Sequence, residues 1–248
     1  MSRTALVTGA ARGIGRACAL TLADAGFDIA LVDLREADMK ATAAEIECCG
    51  VRTLTFSADV SEFGRAHSIV DEIVAEWDHL DVLLNNAGAP SPKPLLEISE
   101  EEFDRAIAVN LKSCFNYCHA AAPVMLKQDQ GGRIISISSL NALSGGVTSA
   151  VSKHAYAAAK AGILGLTRSL AKELGPKVAV NAICPGVIKT ELLRDLIGQR
   201  EAELTAGIAM GRVGTPEDVA SLVRYLATDA HMFMTGQHLV VDGFQWSC

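Results

Sequence analysis

The chain has 248 residues, 50% of them hydrophobic, and a formal charge of -7. That is enough apolar material for one large domain with a substantial core, and the acidic balance leaves no basic footprint for nucleic acid. The opening MSRTALVTGA runs straight into a strand without the apolar core of a signal peptide. No apolar run is long enough for a membrane span, so a cytoplasmic protein with no nucleic-acid or membrane partner is expected. Without linker-like composition, low complexity or repeats, residues 1–248 read as a single domain.

In chain order, TALVTGA reads as a buried strand, followed by a Gly-rich turn and a helix through IGRACALTLADAG. DIALVDL is the second strand, EADMKATAAEIECCG a helix, and VRTLTFSADV the third strand. SEFGRAHSIVDEIVAEW is helical, LDVLLNNAG is the fourth strand and its exit, and one long helix is expected within EEFDRAIAVNLKSCFNYCHAAAPVMLKQ. GRIISISS is strand five, the helix with Tyr156 follows, and KVAVNAICPG is strand six. PEDVASLVRYLATD is a helix and GQHLVVDG a final strand. Continuous apolar strands alternating with helices predict a parallel sheet covered on both faces, a doubly wound α/β three-layer sandwich. The helical segment within 187–212 projects from this plan as a candidate substrate-side lid.

TGAARGIG, with Gly9, Gly13 and Gly15, follows a strand and opens a helix. Small residues there allow a tight turn and bring helix N–H groups against a pyrophosphate, with Arg12 and Ile14 in the same loop. Asp33 ends the second strand, 18 residues beyond Gly15. A carboxylate at that place accepts from both hydroxyls of an adenosine ribose and repels a 2′-phosphate, so NAD is expected over NADP. Arg12 and Arg35 pull the other way, and Arg35 can equally pair with Glu36 or face solvent. Asp59, next to Val60, can accept from the adenine amino group or only cap the helix that follows. Asn86, Ala87 and Gly88 in NNAG are expected to line the cofactor, Gly88 by allowing its close approach. Asn85 has two open readings, cofactor lining or fastening of neighbouring loops.

Three positions then converge at the sheet's carboxyl side. Ser139 ends strand five, and Tyr156 and Lys160 lie one turn apart at the start of the next helix. A nearby ammonium favours phenolate, which makes a tyrosine usable as an acid–base near neutral pH. Ser139 can hold the substrate oxygen, and Asn110 can break a helix locally and anchor a water behind Lys160. Seven cysteines form no disulfide framework. Cys114, Cys118 and His119 share a helix but lack a second ligand cluster, so they are expected to be core residues rather than a metal corner.

With these motifs the chain resembles the short-chain dehydrogenase/reductase family over essentially its full length. TGAARGIG matches the family's cofactor loop, NNAG its cofactor-lining motif, and YAAAK its Tyr-x-x-x-Lys. The resemblance implies a catalytic tetrad of Asn110, Ser139, Tyr156 and Lys160, with Ser138 as the rival serine. In that pattern Tyr156 exchanges the proton, Lys160 also binds the nicotinamide ribose, and Asn110 holds a water in the proton relay. Pro185 and Gly186 sit beside the expected nicotinamide pocket, with Ile188 and Thr190 on the same loop. It further implies a homotetramer built on the two long helices, with FQWSC either closing a neighbouring site or packing locally. One departure is the interval from Ser139 to Tyr156, here 17 positions and longer than the family's usual one. Ser149, Ser152, Lys153 and His154 make that loop polar, through substrate contact or plain solvation.

The expected function is NAD-linked interconversion of a secondary alcohol and a ketone, on a small polar sugar, polyol or hydroxy acid. The alternative is reduction of a 3-oxoacyl thioester, with an acidic carrier protein as partner. A cofactor-binding scaffold without catalysis would require damage to Ser139, Tyr156 or Lys160, and all three are present.

Overall fold

Successive residues of a strand point to opposite faces of a sheet, so a strand covered on both sides has to be apolar throughout. This explains the unbroken apolar runs. Ala5, Val7, Ile29, Leu31, Val82 and Leu84 enter one core, while Leu6, Ala30, Val32 and Leu83 enter the other. The computed structural model describes residues 2–146, 152–191, 203–229 and 233–245.

Within them the order is β1 (Arg3–Thr8), α1 (Gly13–Asp24), β2 (Phe27–Asp33), α2 (Glu36–Glu47), β3 (Thr53–Ser57) and α3 (Phe63–Trp77). Next come β4 (Val82–Asn85), α4 (Glu100–Ile107), a π-helical turn (Ala108–Lys112), α5 (Ser113–Lys127), β5 (Gly132–Ile137) and α6 (Asn141–Ser144). The chain closes with α7 (His154–Leu174), β6 (Val178–Pro185), α8 (Pro216–Thr228) and β7 (His238–Val241). The sheet order is β3-β2-β1-β4-β5-β6-β7, and every pairing is parallel. This is the doubly wound Rossmann arrangement expected from the sequence. Helices α1 and α8 pack over one face, and α3, α5 and α7 over the other. None of the described helices is long and apolar enough to cross a membrane.

The order reverses between β1 and β4, so the connections after these neighbouring strands leave in opposite directions. That opens a crevice at the strands' carboxyl ends. Gly9 follows β1, and Asn86–Gly88 follow β4, on its two sides.

Two expectations change. The long helix is interrupted, because the π turn at Ala108–Lys112 separates α4 from α5. Asn110 Nδ2 donates to the Ala106 carbonyl at 2.9 Å, a side chain supplying a bond where the backbone ladder is offset. The short helix α6 was not expected. Of the candidate lid, 192–202 lie outside the described residues, as do Ser149 in the long loop and 246–248 at the C-terminus. Ile188 bridges to Gly214, and Leu204, Ile208 and Val213 form a small apolar cluster with Val187.

Candidate active site

The nucleotide end is built from backbone turns. Gly9 has φ +66, and a Cβ there would sit 2.8 Å from Ala87 Cα. At Gly15 a Cβ would lie 2.0 Å from the Gly9 carbonyl oxygen. Gly15 therefore permits the turn's own closure, at the first turn of the helix that opens on the crevice. Arg12, Gly13 and Ile14 line that crevice. They stand at the start of α1, whose first-turn amides have no helical acceptors. Asn86 Nδ2 donates to the carbonyls of Thr8 and Gly9, each at 3.0 Å, tying the β4 exit to the β1 turn.

Asp33 stands where β2 leaves the sheet. Its Oδ2 accepts from Ala11 N and its Oδ1 from Arg35 N, each at 3.0 Å, so the Gly-rich loop orients the carboxylate at the crevice edge. Arg35 is half exposed and pairs with Asp38 at 3.4 Å, while Glu36 pairs with Lys40, so of the two open readings of Arg35 the solvent-facing one holds. Asp59 and Val60 line the same space from the end of β3. Asp59 does not cap α3: the N-cap is Glu62, and the Asp59 carboxylate turns back onto Ser61. Burial opposes ionisation of Asp59, but hydrogen bonds from Ser61 and Arg105 outweigh it and hold the carboxyl below its ordinary value.

The reacting end is stapled by side chains. Ser138 Oγ donates to the Lys160 carbonyl at 2.7 Å, and Lys160 Nζ donates to the Ile137 carbonyl at 2.8 Å. These bonds fasten α7 to the end of β5, so Ser138 is a fastening residue buried at 2% exposure. Ser139, one residue on, accepts from Asn141 N on its Oγ at 3.1 Å and lines a cavity of about 730 Å³ with Ser138, Tyr156 and Lys160. Lys160 is 3% exposed, and its Nζ lies 5.7 Å from the Tyr156 ring centroid.

Asn110 is placed behind this pair but is already engaged. Its Nδ2 donates to the carbonyls of Ala89 and Ala106, and its Oδ1 accepts from Ala89 N at 3.1 Å. One amide hydrogen thus holds the β4–α4 connection at Ala89, and the other is spent within the helix on Ala106. Gly88 is small for the same reason: a Cβ there would meet Asn110 Oδ1 at 2.9 Å and Lys160 Nζ at 3.4 Å. Asn85 turns out to be a fastener, donating to Cys118 Sγ and Ser136 Oγ, each at 3.3 Å.

Pro185, Gly186, Ile188 and Thr190 line the cavity from the β6 side. Thr190 Cγ2 would lie 3.3 Å from a Cβ at Gly13, so the loop after β6 meets the start of α1 across the crevice. The polar loop before α7 is tied down at its end, with Lys153 N donating to the Ser91 carbonyl at 2.7 Å. Cys114 and Cys118 are buried, which pushes both thiols up, whereas His119 is exposed and meets His67 Nε2 at 2.9 Å. The three do not converge on one point.

Ser152 of the polar loop and Gln245 of FQWSC line the cavity, and sequence reasoning missed Leu34, Asn141 and Glu191, which line it too. Leu34 carried a signal, because an apolar residue directly after the strand-end Asp33 stays 64% exposed and covers the space beside it. The others gave none, since they come from connections that only the fold brings together. The residues fit a nicotinamide dinucleotide: a helix start for an anion, a carboxylate one strand away, and a Tyr–Lys pair at the far end of one continuous crevice.

A family model described as Enoyl-(Acyl carrier protein) reductase matches residues 9–243. The chain belongs to the short-chain dehydrogenase/reductase family, whose members act on CH–OH and C=O groups with nicotinamide cofactors. It is 38% identical over 246 residues to a 3-oxoacyl-[acyl-carrier-protein] reductase of Staphylococcus aureus, covering 98% of each chain. An acetoin dehydrogenase structure from Salmonella typhimurium superposes with a TM-score of 0.86 at 34% identity, over 98% of this chain and 97% of that one. A structure titled glucose/ribitol dehydrogenase from Brucella melitensis gives a TM-score of 0.91 at 32% identity, over 99% and 97%.

Proposed function

We propose that this oxidoreductase uses NAD(H) to interconvert a 3-oxoacyl thioester and its 3-hydroxy form. The observation that carries the reaction type is the convergence of Ser139, Tyr156 and Lys160 on the cavity that also holds Gly13 and Asp33. The substrate class is supported by the full-length likeness to 3-oxoacyl-[acyl-carrier-protein] reductases. NAD over NADP rests on Asp33, whose charge opposes a 2′-phosphate at the position where the loop amides orient it.

In this reading Arg12, Gly13 and Ile14 receive the pyrophosphate, Asp33 the ribose, and Pro185, Gly186, Ile188 and Thr190 the nicotinamide side. The nicotinamide, when bound, supplies or accepts the hydride. Ser139 Oγ donates to the substrate oxygen, and the Tyr156 hydroxyl gives that oxygen its proton in reduction, whereas in oxidation the Tyr156 phenolate takes it. Lys160 spends one of its three N–H groups on the Ile137 carbonyl. The remaining two are available to a ribose hydroxyl, and its charge steadies negative charge on the Tyr156 oxygen. Asn110 acts as the clasp of the connection that bears Gly88, which keeps Lys160 in place. Val187, Glu191 and Leu204, from the described ends of the candidate lid, face the substrate in this reading.

A second reading, oxidation of a small polar alcohol, is favoured by Asn141 and Ser152 on the cavity wall and by the acetoin and glucose/ribitol dehydrogenase likenesses. Initial rates of acetoacetyl-thioester reduction with NADH and with NADPH separate the two. Fast turnover with NADH is expected. Negligible turnover with both, beside fast oxidation of acetoin or a polyol with NAD, would transfer the assignment to the second reading.

A further inference from the structure

Asp59 is held by a closed ring of side chains at the outer end of the crevice. Its Oδ1 accepts from Ser61 N at 2.9 Å and from Ser61 Oγ at 2.7 Å. Its Oδ2 meets Arg105 Nη2 at 2.8 Å, and Arg105 Nη1 donates to Ser61 Oγ at 2.9 Å. An ionised carboxylate offers about four acceptor positions. Ser61 fills both on Oδ1 and Arg105 fills one on Oδ2, so a single position remains. Ser61 restrains only one oxygen, and Arg105 alone restrains the other. Without the guanidinium, Oδ2 can swing about Oδ1 and turn towards solvent.

Three other acids line this space: Asp33, held by the amides of Ala11 and Arg35, Glu101 in the first turn of α4, and Glu102, engaged by Lys93 at 2.5 Å. Arg105 comes from α4 and Asp59 from the β3–α3 connection, so the pair spans two elements that line one cavity.

We propose that Arg105 is a positioning residue for recognition of the dinucleotide's base. By holding Asp59 Oδ2 it keeps that oxygen's remaining lone pair on the cavity. There it accepts an N–H of the adenine amino group and repels a carbonyl in the same place. This rests on the dinucleotide reading given above and adds a residue that acts through Asp59 rather than on the ligand.

The test compares dissociation constants of NADH and of reduced nicotinamide hypoxanthine dinucleotide, in which a carbonyl replaces the amino group, by fluorescence titration. The unmodified protein is expected to favour NADH by about tenfold, the scale of one charge-assisted hydrogen bond. Arg105→Ala and Arg105→Met are expected to bring that ratio close to one. The Met variant keeps the apolar bulk of the stem. Binding of the hypoxanthine compound by these variants doubles as the check that they are folded. A change in net charge alone shifts both ligands equally, so an unchanged ratio in both variants overturns the inference. If the unmodified protein binds both ligands equally, the inference falls while the dinucleotide reading stands. If it binds neither, the dinucleotide reading itself falls.

Discussion

The β1–β3 side of the crevice and the β5–β7 side are held by different means. On the first, turns are closed by backbone: Gly9 and Gly15 admit contacts no Cβ could share, and loop amides orient Asp33. On the second, side chains staple separate elements, with Ser138 and Lys160 joining β5 to α7 and Asn110 clasping the connection beside them. The first kind of site is specified by short stretches of chain. The second depends on the packing of distant segments and is free to vary its loops.

The sharpest test of the contrast is Tyr156→Phe. It should cut kcat/KM by roughly 10²–10⁴-fold while the dissociation constant for NADH stays nearly unchanged. Loss of cofactor binding in parallel with turnover would mean that Tyr156 serves the shape of the crevice and not the proton.

Next come the adjacent serines. Ser139→Ala should lower kcat by about 10²-fold, the scale of one lost donor at a reacting oxygen, without moving the urea midpoint. Ser138→Ala should do the reverse, costing roughly 1 kcal/mol of stability for a lost buried hydrogen bond with a smaller effect on kcat. Equal kinetic losses would erase the distinction drawn between fastener and reactant.

A smaller effect is expected on the backbone-built side. Asp33→Asn keeps the side-chain size and removes the charge, and should shift the ratio of NADPH to NADH use by roughly tenfold, about 1.4 kcal/mol. No shift in the ratio of kcat/KM values would show that the carboxylate does not face the 2′ position.

The smallest lies beside the candidate lid. Asp218 joins Thr215 in a capping box at the start of α8 and pairs with Arg212 at 2.6 Å. The Arg212 guanidinium and the Thr215 amide lower its carboxyl to about 2. A carboxylate held below its unfolded value of about 3.9 adds stability above that pH and loses it as pH falls towards the folded value. Asp218→Asn should therefore cost up to about 1 kcal/mol at neutral pH, with the difference narrowing as pH falls from about 5 to about 3. A constant difference across that range in urea titrations would assign the effect to the cap geometry alone.

Much of this molecule was legible because the signals were local. Apolar runs at strand length, each bounded by Gly, Asp or Asn, mark strands that need cover on both faces. The π turn was not legible as such. Asn110 signalled a local break, but its direction depends on the Ala89 carbonyl, which arrives from β4. Helix α6 was missed because Asn141–Ser144 is too short to show a period. Gly88 was read as making room for a ligand; it lines the cavity, and a Cβ there would in addition meet Asn110 and Lys160, which no local signal announced.

The amino-acid sequence by itself determined the parallel sheet, the glycine turn after β1, the acid at the end of β2 and the Tyr–Lys pair one turn apart. Each of these follows from rules acting over a few residues: strand alternation, steric freedom at glycine, and helical spacing. Tertiary structure alone decided that Ser138 is tied to the Lys160 carbonyl, that Asn110 holds the Ala89 backbone, and that Arg105 reaches Asp59. Those outcomes depend on side-chain directions at contacts between residues 22, 21 and 46 positions apart in the chain. A hydrogen bond across such a gap has no local periodicity to announce it, because its partner is set by packing.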